Sequence, residues 1–262
     1  MKKLLKALVR VLVPWGAVKA MNRALRRLAA WGHRFQHFYE WRLMARPPEW
    51  FDHYIDLHWK WHVTRNATSW ERGIFGLLAM RQGCRVLDLC CGTGFFAYYF
   101  YAGRAGSVVA MDYSAAAIAQ AKRNFAAPNI EYRQGDIRTD LPGGPFDNAV
   151  LNAALEYFTP QEAEDLLDSI KARLVPGGIL SGNSIVASRS GVAHLDQKQE
   201  FFSREDLAAL LKRHFANVAV LTTTFIDPGM DRKNLYFFAS DGPVPLAGNW
   251  PDLLVIGPGE NT

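Results

Sequence analysis

At 262 residues, 49% hydrophobic and 21% charged, the chain has a globular composition and enough length for one full α/β domain with an extension, which excludes disordered and fibrous classes. Its three cysteines, Cys84, Cys90 and Cys91, crowd beside one apolar run with neither a long loop closure nor a metal-ligand spacing, so reduced thiols in a cytoplasmic setting are expected rather than a disulfide framework. The net charge of +5 is uneven: residues 1–48 hold eleven basic side chains against Glu40 alone, for +10, which leaves the remainder at −5.

In chain order, residues 2–13 set Lys2, Lys3, Lys6 and Arg10 on one side of a helical wheel and Leu4, Leu5, Leu8, Val11 and Leu12 on the other. This basic amphipathic segment is too short to span a bilayer, and its charges interrupt any signal-peptide core. Two readings stand: residues 1–13 lie on an anionic membrane surface, or they dock on their own domain or a second subunit. After Pro14 and Gly16, helical periodicity runs from Ala17 to Met44 and stops at Pro47-Pro48. Its arginines, Arg23, Arg26, Arg27 and Arg34, fit a solvated face; no motif for RNA or DNA accompanies them, and nucleic acid is not an expected partner.

Seven of the eight tryptophans and five of the seven histidines precede residue 71. The aromatic richness predicts either a lid that shapes a pocket or packing between extension and domain. Asp52, His53, Asp56, His58 and His62 resemble a metal cluster only superficially, because Trp59 stands where a zinc helix carries Glu; no metal is expected.

A helix over 66–79, capped by Thr68 or Asn66, leads into the strand Val86-Leu87 and the turn Asp88-Leu-Cys-Cys-Gly92-Thr93-Gly94. Glycines there let the main chain turn tightly and approach a ligand without an intervening Cβ. A helix follows over Phe95–Tyr101, whose N-terminal amides can serve a carboxylate. Strand and helix then alternate: Ser107–Met111, Ala115–Asn124 capped by Ser114, Ile130–Arg133, Ala149–Asn152, Pro160–Arg173, Gly178–Ser184, and Leu207–Phe215 behind the capping-box-like Ser203-Arg-Glu-Asp206. Val218–Thr223 and Asn234–Ala239 close the pattern, and the Pro- and Gly-rich stretch from Asp241 is expected to be irregular. Alternation of this kind predicts a parallel sheet wrapped on both sides, with ligands at the carboxyl ends of its strands.

The letters Gly92-x-Gly94-x-x-Ala97, with Asp112 about 20 residues on, fit a dinucleotide fingerprint, which alone is a weak signal. The run Asp88-Leu-Cys-Cys-Gly-Thr-Gly94 also resembles motif I of the class I S-adenosylmethionine-dependent methyltransferases, with Cys90 in place of the usual first glycine. Three further stretches keep that family's order: Val108-Val-Ala-Met-Asp112-Tyr-Ser114, Gln134-Gly-Asp136-Ile137, and Phe146-Asp147-Asn-Ala-Val-Leu-Asn152, followed by Leu174-Val-Pro-Gly-Gly-Ile-Leu180. The resemblance spans roughly residues 67–240. It implies an α/β fold, a Rossmann-like seven-stranded mostly parallel sheet with helices on both faces, preceded by a helical N-terminal extension. It divides the chain into an extension over 1–66, a methyltransferase domain over 67–240 and a tail over 241–262.

Carried over position by position, the resemblance implies S-adenosyl-L-methionine as cofactor, held by Asp88, Cys90, Gly92, Thr93, Gly94, Asp112, Tyr113, Asp136, Ile137 and Asn152. Asp112 is expected on the ribose hydroxyls and Asp136 near the adenine amine. Methyl transfer is an in-line displacement, so alignment and exclusion of water dominate; a hydroxyl nucleophile adds the need for a base. Glu156 and Tyr157 are candidates to orient that nucleophile, and His194 is the preferred candidate base. The expected acceptor is a small molecule, lipid or envelope glycan, reached in the cytoplasm or on the inner membrane face. A non-catalytic cofactor-binding scaffold and a nicotinamide oxidoreductase are the competing readings.

Overall fold

The computed structural model describes residues 14–38, 68–186, 198–226, 232–246 and 253–256. The chain forms two compact units, residues 1–63 and 64–262, taken here one at a time.

Within the first unit, helix α1 spans Trp15–Phe38, its first turn closed by the Ala17 and Val18 amides on the Pro14 carbonyl. The sequence pattern extended it to Met44; residues 39–44 lie outside the described ones, as do residues 2–13 and the cluster of Asp52, His53, Asp56, His58 and His62.

The second unit is built on one sheet in the order β3-β2-β1-β4-β5-β7-β6-β8. Strands β1 (Arg85–Leu89), β2 (Ser107–Asp112), β3 (Ile130–Gln134), β4 (Phe146–Asn152) and β5 (Leu174–Ile185) run parallel. β7 (Arg232–Ser240) inserts antiparallel between β5 and β6 (Asn217–Ile226). These are the seven mostly parallel strands the sequence pattern implied. The tail expectation needs correction: Leu253–Ile256 forms β8, paired parallel with Thr223–Ile226 of β6. Four consecutive branched apolar residues favour a strand once an edge is available, and composition counts of Pro and Gly around them hide that.

Burial explains the strand types. Val86, Leu87 and Leu89 of β1 are fully buried, as a strand flanked on both sides and covered on both faces must be. At the edge, β3 alternates, with Glu131 and Arg133 exposed and ion-paired at 2.6 Å around buried Tyr132. One face of the sheet carries the large core of Leu87, Leu89, Leu151, Leu167, Ile170, Leu207 and Phe237 beneath α4 (Pro160–Lys171) and α5 (Arg204–Leu211). Both helices begin in reciprocal capping boxes, Thr159 with Glu162 and Ser203 with Asp206, each contributing about 1 kcal/mol. The other face carries α2 (Thr68–Leu78), whose Phe75 ring stacks on Tyr236 at 4.1 Å and whose last turn is tied down by Asn148 Nδ2 donating to the Ala79 carbonyl. Strands β4 and β5 approach so closely that a side chain at Gly182 would overlap the Leu151 carbonyl oxygen.

Chain direction reverses its lateral progress between β1 and β4. From there β2 and β3 lie to one side and β5 to the other, opening a crevice at the strands' carboxyl ends.

Candidate functional site

Two groups of residues meet at that crevice. The first is the turn after β1. Asp88 is buried inside the strand end; Cys90, Gly92 and Gly94 adopt left-handed backbone at φ 56°, 55° and 81°. At Gly92 a Cβ would stand in open space, so the main chain is bare toward the crevice. At Gly94 a Cβ would come within 2.6 Å of the Tyr132 hydroxyl, so the turn is propped from below by a β3 ring. That hydroxyl donates to the Phe125 carbonyl at 2.9 Å.

Asp112 closes β2 and fastens the turn to it. Its Oδ2 accepts from the Gly92 amide and its Oδ1 from the Ser114 amide, both at 2.9 Å. The same Ser114 caps α3 (Ala115–Asn124). One carboxylate therefore joins the glycine turn to the next helix start, which the spacing from Gly92 to Asp112 alone does not reveal.

Cys90, standing where the resembling motif has glycine, takes the left-handed conformation at a cost of about 1–2 kcal/mol. Its side chain packs against the large core. Burial, then the charges of Asp112, Asp88 and Asp136, push the thiol far above its ordinary range, so it stays protonated and unreactive. Cys91 is raised likewise, by burial first.

Asp88 is the electrostatic anomaly. Its Oδ2 is buried without a hydrogen-bond partner, and burial followed by the Asp112 charge raises its carboxyl to about 8. A buried carboxyl poised this way is complementary to a positively charged ligand, which would supply the missing counter-charge.

The adenine-side prediction is modified. Asp136 is partly exposed, and its carboxylate is gripped by Arg138, with contacts of 3.0, 3.0 and 2.5 Å that hold it below the usual range. Arg138 also reaches Glu162 at 3.5 Å, and Glu162 meets Lys198 at 3.0 Å. Ile137 is buried in the core, Thr93 is buried in the turn, and Tyr113 stands 59% exposed beyond Asp112.

The second group lies across β4, β5 and β7. Register and two-residue alternation put Asp88, Asn152, Asn183, Tyr236 and Asn234 on the face that carries α2. Asn152 donates to the Tyr101 hydroxyl at 3.3 Å. Beside it in register, Asn183 is fully buried with neither Nδ2 nor Oδ1 partnered; Asn234 Nδ2 and Arg72 Nε are likewise buried and unpartnered. Around them Thr223 and Tyr236 both donate to Glu71 Oε2, at 3.0 and 2.9 Å. Burial and then the Asp88 charge raise the Tyr101 phenol, burial and then the Glu71 charge that of Tyr236, and the Arg72 guanidinium acts on both phenols in the opposite direction.

Of these, only Asp88 and Asn152 are expected site residues from the sequence. The signal for the rest was Ser181-Gly-Asn183-Ser184 inside a buried strand, where apolar residues are the rule.

The expected catalytic residues separate. Glu156 is 3% exposed and turned inward: Oε1 accepts from the Ser184 hydroxyl at 2.8 Å and the Ile185 amide at 2.9 Å. That arrangement fastens the 155–157 turn to β5, while Oε2 is buried without a partner; a role for Glu156 in orienting a nucleophile stays a proposal. Tyr157 is 44% exposed on the same turn. His194 lies outside the described residues. The expected helix over 95–101 is present, but Ala97–Tyr101 is wound as a π-turn.

These features fit S-adenosylmethionine: an open main-chain cradle at Gly92, a buried carboxyl awaiting a cation, and a strand-end acid beside the turn. Residues 86–178 match the model of the family described as methyltransferase domain. An uncharacterised methyltransferase of Synechocystis is 38% identical over 106 residues, covering 40% of this chain and 48% of that protein. A 2-phytyl-1,4-naphtoquinone methyltransferase of Thermosynechococcus vestitus is 41% identical over 116 residues, covering 42% and 49%. The chain thus spans about half the length of the curated relatives it matches. The solved DhpI-SAH complex shares the fold at a TM-score of 0.52 and 21% identity, over 72% of this chain and 92% of that one.

Proposed function

We propose that the chain is a class I S-adenosylmethionine-dependent methyltransferase acting on a small-molecule, lipid or envelope-glycan acceptor that presents a hydrogen-bonding group beside Asn183, a reading supported by the match of residues 86–178 to the methyltransferase-domain family. The observation that carries the acceptor side is the set of unpartnered buried atoms on Asn183, Asn234 and Arg72, three donors and one acceptor. A buried polar group left unpaired costs about 1–3 kcal/mol, and a hydroxyl or amide entering the crevice offsets several such costs at once.

When bound, the cofactor supplies an electrophilic methyl carbon on a sulfonium. The chain's own residues do the rest. Asp112 holds the turn, Asp88 presents a buried carboxyl that a cationic group would draw into its charged form, and Gly92 leaves the main chain bare. Asn152, bonded to the Tyr101 hydroxyl and paired in register with Asn183, can orient an acceptor. In this reading His194 removes a proton from a hydroxyl acceptor, and Tyr157, exposed on the 155–157 turn, orients it. The relative named for 2-phytyl-1,4-naphtoquinone is consistent with a lipid-soluble acceptor, and residues 1–13 would then hold the protein at an anionic membrane on the inner face. The Cys90 thiol packs on the core.

The test pairs calorimetry with S-adenosylhomocysteine and a labelled-methyl screen of extracts and membranes, for wild type and Asp112→Ala. Binding and turnover by wild type, both lost in the variant, are expected. Turnover undiminished in the variant overturns the assignment, and wild-type binding without methylation of any fraction supports the scaffold reading.

A further inference from the structure

None of the residues assigned above to the cofactor site lies in α1. Its 24 residues rise to about 36 Å at 1.5 Å each. Between Trp15 and Phe38 stand Lys19, Arg23, Arg26, Arg27 and Arg34 and no acid at all. On a helical wheel these cations occupy an arc of about 100°, and Met21, Leu25, Leu28, Trp31, Phe35 and Phe38 fill the adjoining arc of about 140°. All six of those large apolar side chains are more than half exposed, from 52% at Phe38 to 64% at Trp31. The Trp31 and Phe35 rings, one turn apart, stack on each other at 5.7 Å and make the stripe continuous.

Charge and apolar pattern together select the occupant. The stripe requires an apolar phase, and the flanking arc requires negative charge bordering it. Nucleic acid would satisfy the arginines and leave the stripe in water. A second copy of α1 would cover the stripe but bring arginine against arginine, with no acid in the helix to answer them. Among the described residues no helix is long and apolar enough to cross a membrane, so the helix would lie in the surface plane.

We propose that α1 is an interfacial helix on an anionic lipid surface, with Leu28, Trp31 and Phe35 among the acyl chains and its arginines among the headgroup phosphates. This is separate from the cofactor site and from residues 1–13, and it stands or falls without either.

The test is co-sedimentation of the full-length protein with vesicles of phosphatidylcholine alone or mixed equally with phosphatidylglycerol. Partition at least tenfold stronger into the anionic vesicles, weakening as salt rises, is expected. Leu28→Glu/Phe35→Glu and, separately, the milder Arg23→Gln/Arg27→Gln should each lower that partition about tenfold or more while binding S-adenosylhomocysteine as wild type does, and deletion of residues 1–13 should leave the α1-dependent part in place. Equal partition into both vesicles overturns the proposal, as does wild-type partition by the Leu28→Glu/Phe35→Glu protein. Absence of vesicle binding together with a dimer abolished by Leu28→Glu/Phe35→Glu, or with RNA binding abolished by Arg23→Gln/Arg27→Gln, also overturns it and identifies the other occupant.

Discussion

The crevice has two walls built by different means. On the β1–β2 side, main-chain conformation does the work: left-handed residues at 90, 92 and 94, and a carboxylate at 112 whose two oxygens each hold an amide. Among the described residues of that side, Asp88 Oδ2 is the buried side-chain oxygen without a hydrogen-bond partner. On the β5–β7 side, side chains do the work, and the groups at the centre, on Asn183, Asn234 and Arg72, are left without protein partners. The first wall is shaped by backbone conformation and carries its own cost at Cys90 and Asp88. The second holds unmet hydrogen-bonding capacity at a cost in stability, which in the proposed function an acceptor would offset.

The comparison breaks most readily at Asp112. Asp112→Ala removes the acceptor for two amides at once, and about 3 kcal/mol or more of charge-assisted hydrogen bonding goes with it, so affinity for S-adenosylhomocysteine should fall at least about 100-fold by calorimetry. An unchanged affinity would mean that the first wall grips nothing.

Asp88 sharpens the contrast through pH. Its carboxyl is raised from 3.8 to about 8, so the folded state binds more protons than the unfolded chain between those values and loses stability as pH climbs through that window. Asp88→Asn should abolish this slope and stabilise the ligand-free protein at pH 7 by up to about 4 kcal/mol, read as a melting temperature that stops falling between pH 5 and 8. A pH-independent wild type would remove the charge argument.

At the second wall the signs should oppose. Asn183→Leu deletes the unpartnered amide from a fully buried position and should raise stability by about 1–3 kcal/mol, yet reduce kcat/KM for the acceptor at least about tenfold with cofactor affinity unchanged. Stability and turnover falling together would make Asn183 ordinary packing.

The smallest effect belongs to the exposed chain Asp136–Arg138–Glu162–Lys198. Lys198→Ala should change cofactor affinity less than about twofold, and only at low salt, because such pairs are screened by water. A tenfold change would promote this ion-pair chain to a working part of the site.

This difference between walls is also why one was legible in the sequence and the other was not. Gly92, Gly94 and Asp112 act through local backbone needs and a fixed spacing, both written in consecutive letters, and the strands themselves came through because buried parallel strands are apolar runs, although β4 and β5 begin earlier, at Phe146 and Leu174, than those runs indicate. Asn183, Tyr236 and Asn234 come together only when β7 inserts antiparallel next to β5, and that register follows from long-range pairing. Glu156 was half legible for a related reason: its position after β4 was readable, but its inward turn toward Ser184 and Ile185 depends on a neighbouring strand. β8 escaped because a four-residue strand needs an available edge more than a pattern.

Gly182 lends this second wall its dimensions. Since even a methyl group there would collide with the Leu151 carbonyl, the gap separating Asn152 from Asn183 is dictated by a lone hydrogen atom on the opposite side of the sheet. A scan of substitutions would therefore find intolerance far from any reacting atom, and a chain that somehow accepted alanine there would carry its two amides at a new separation, with a different menu of molecules able to bridge them.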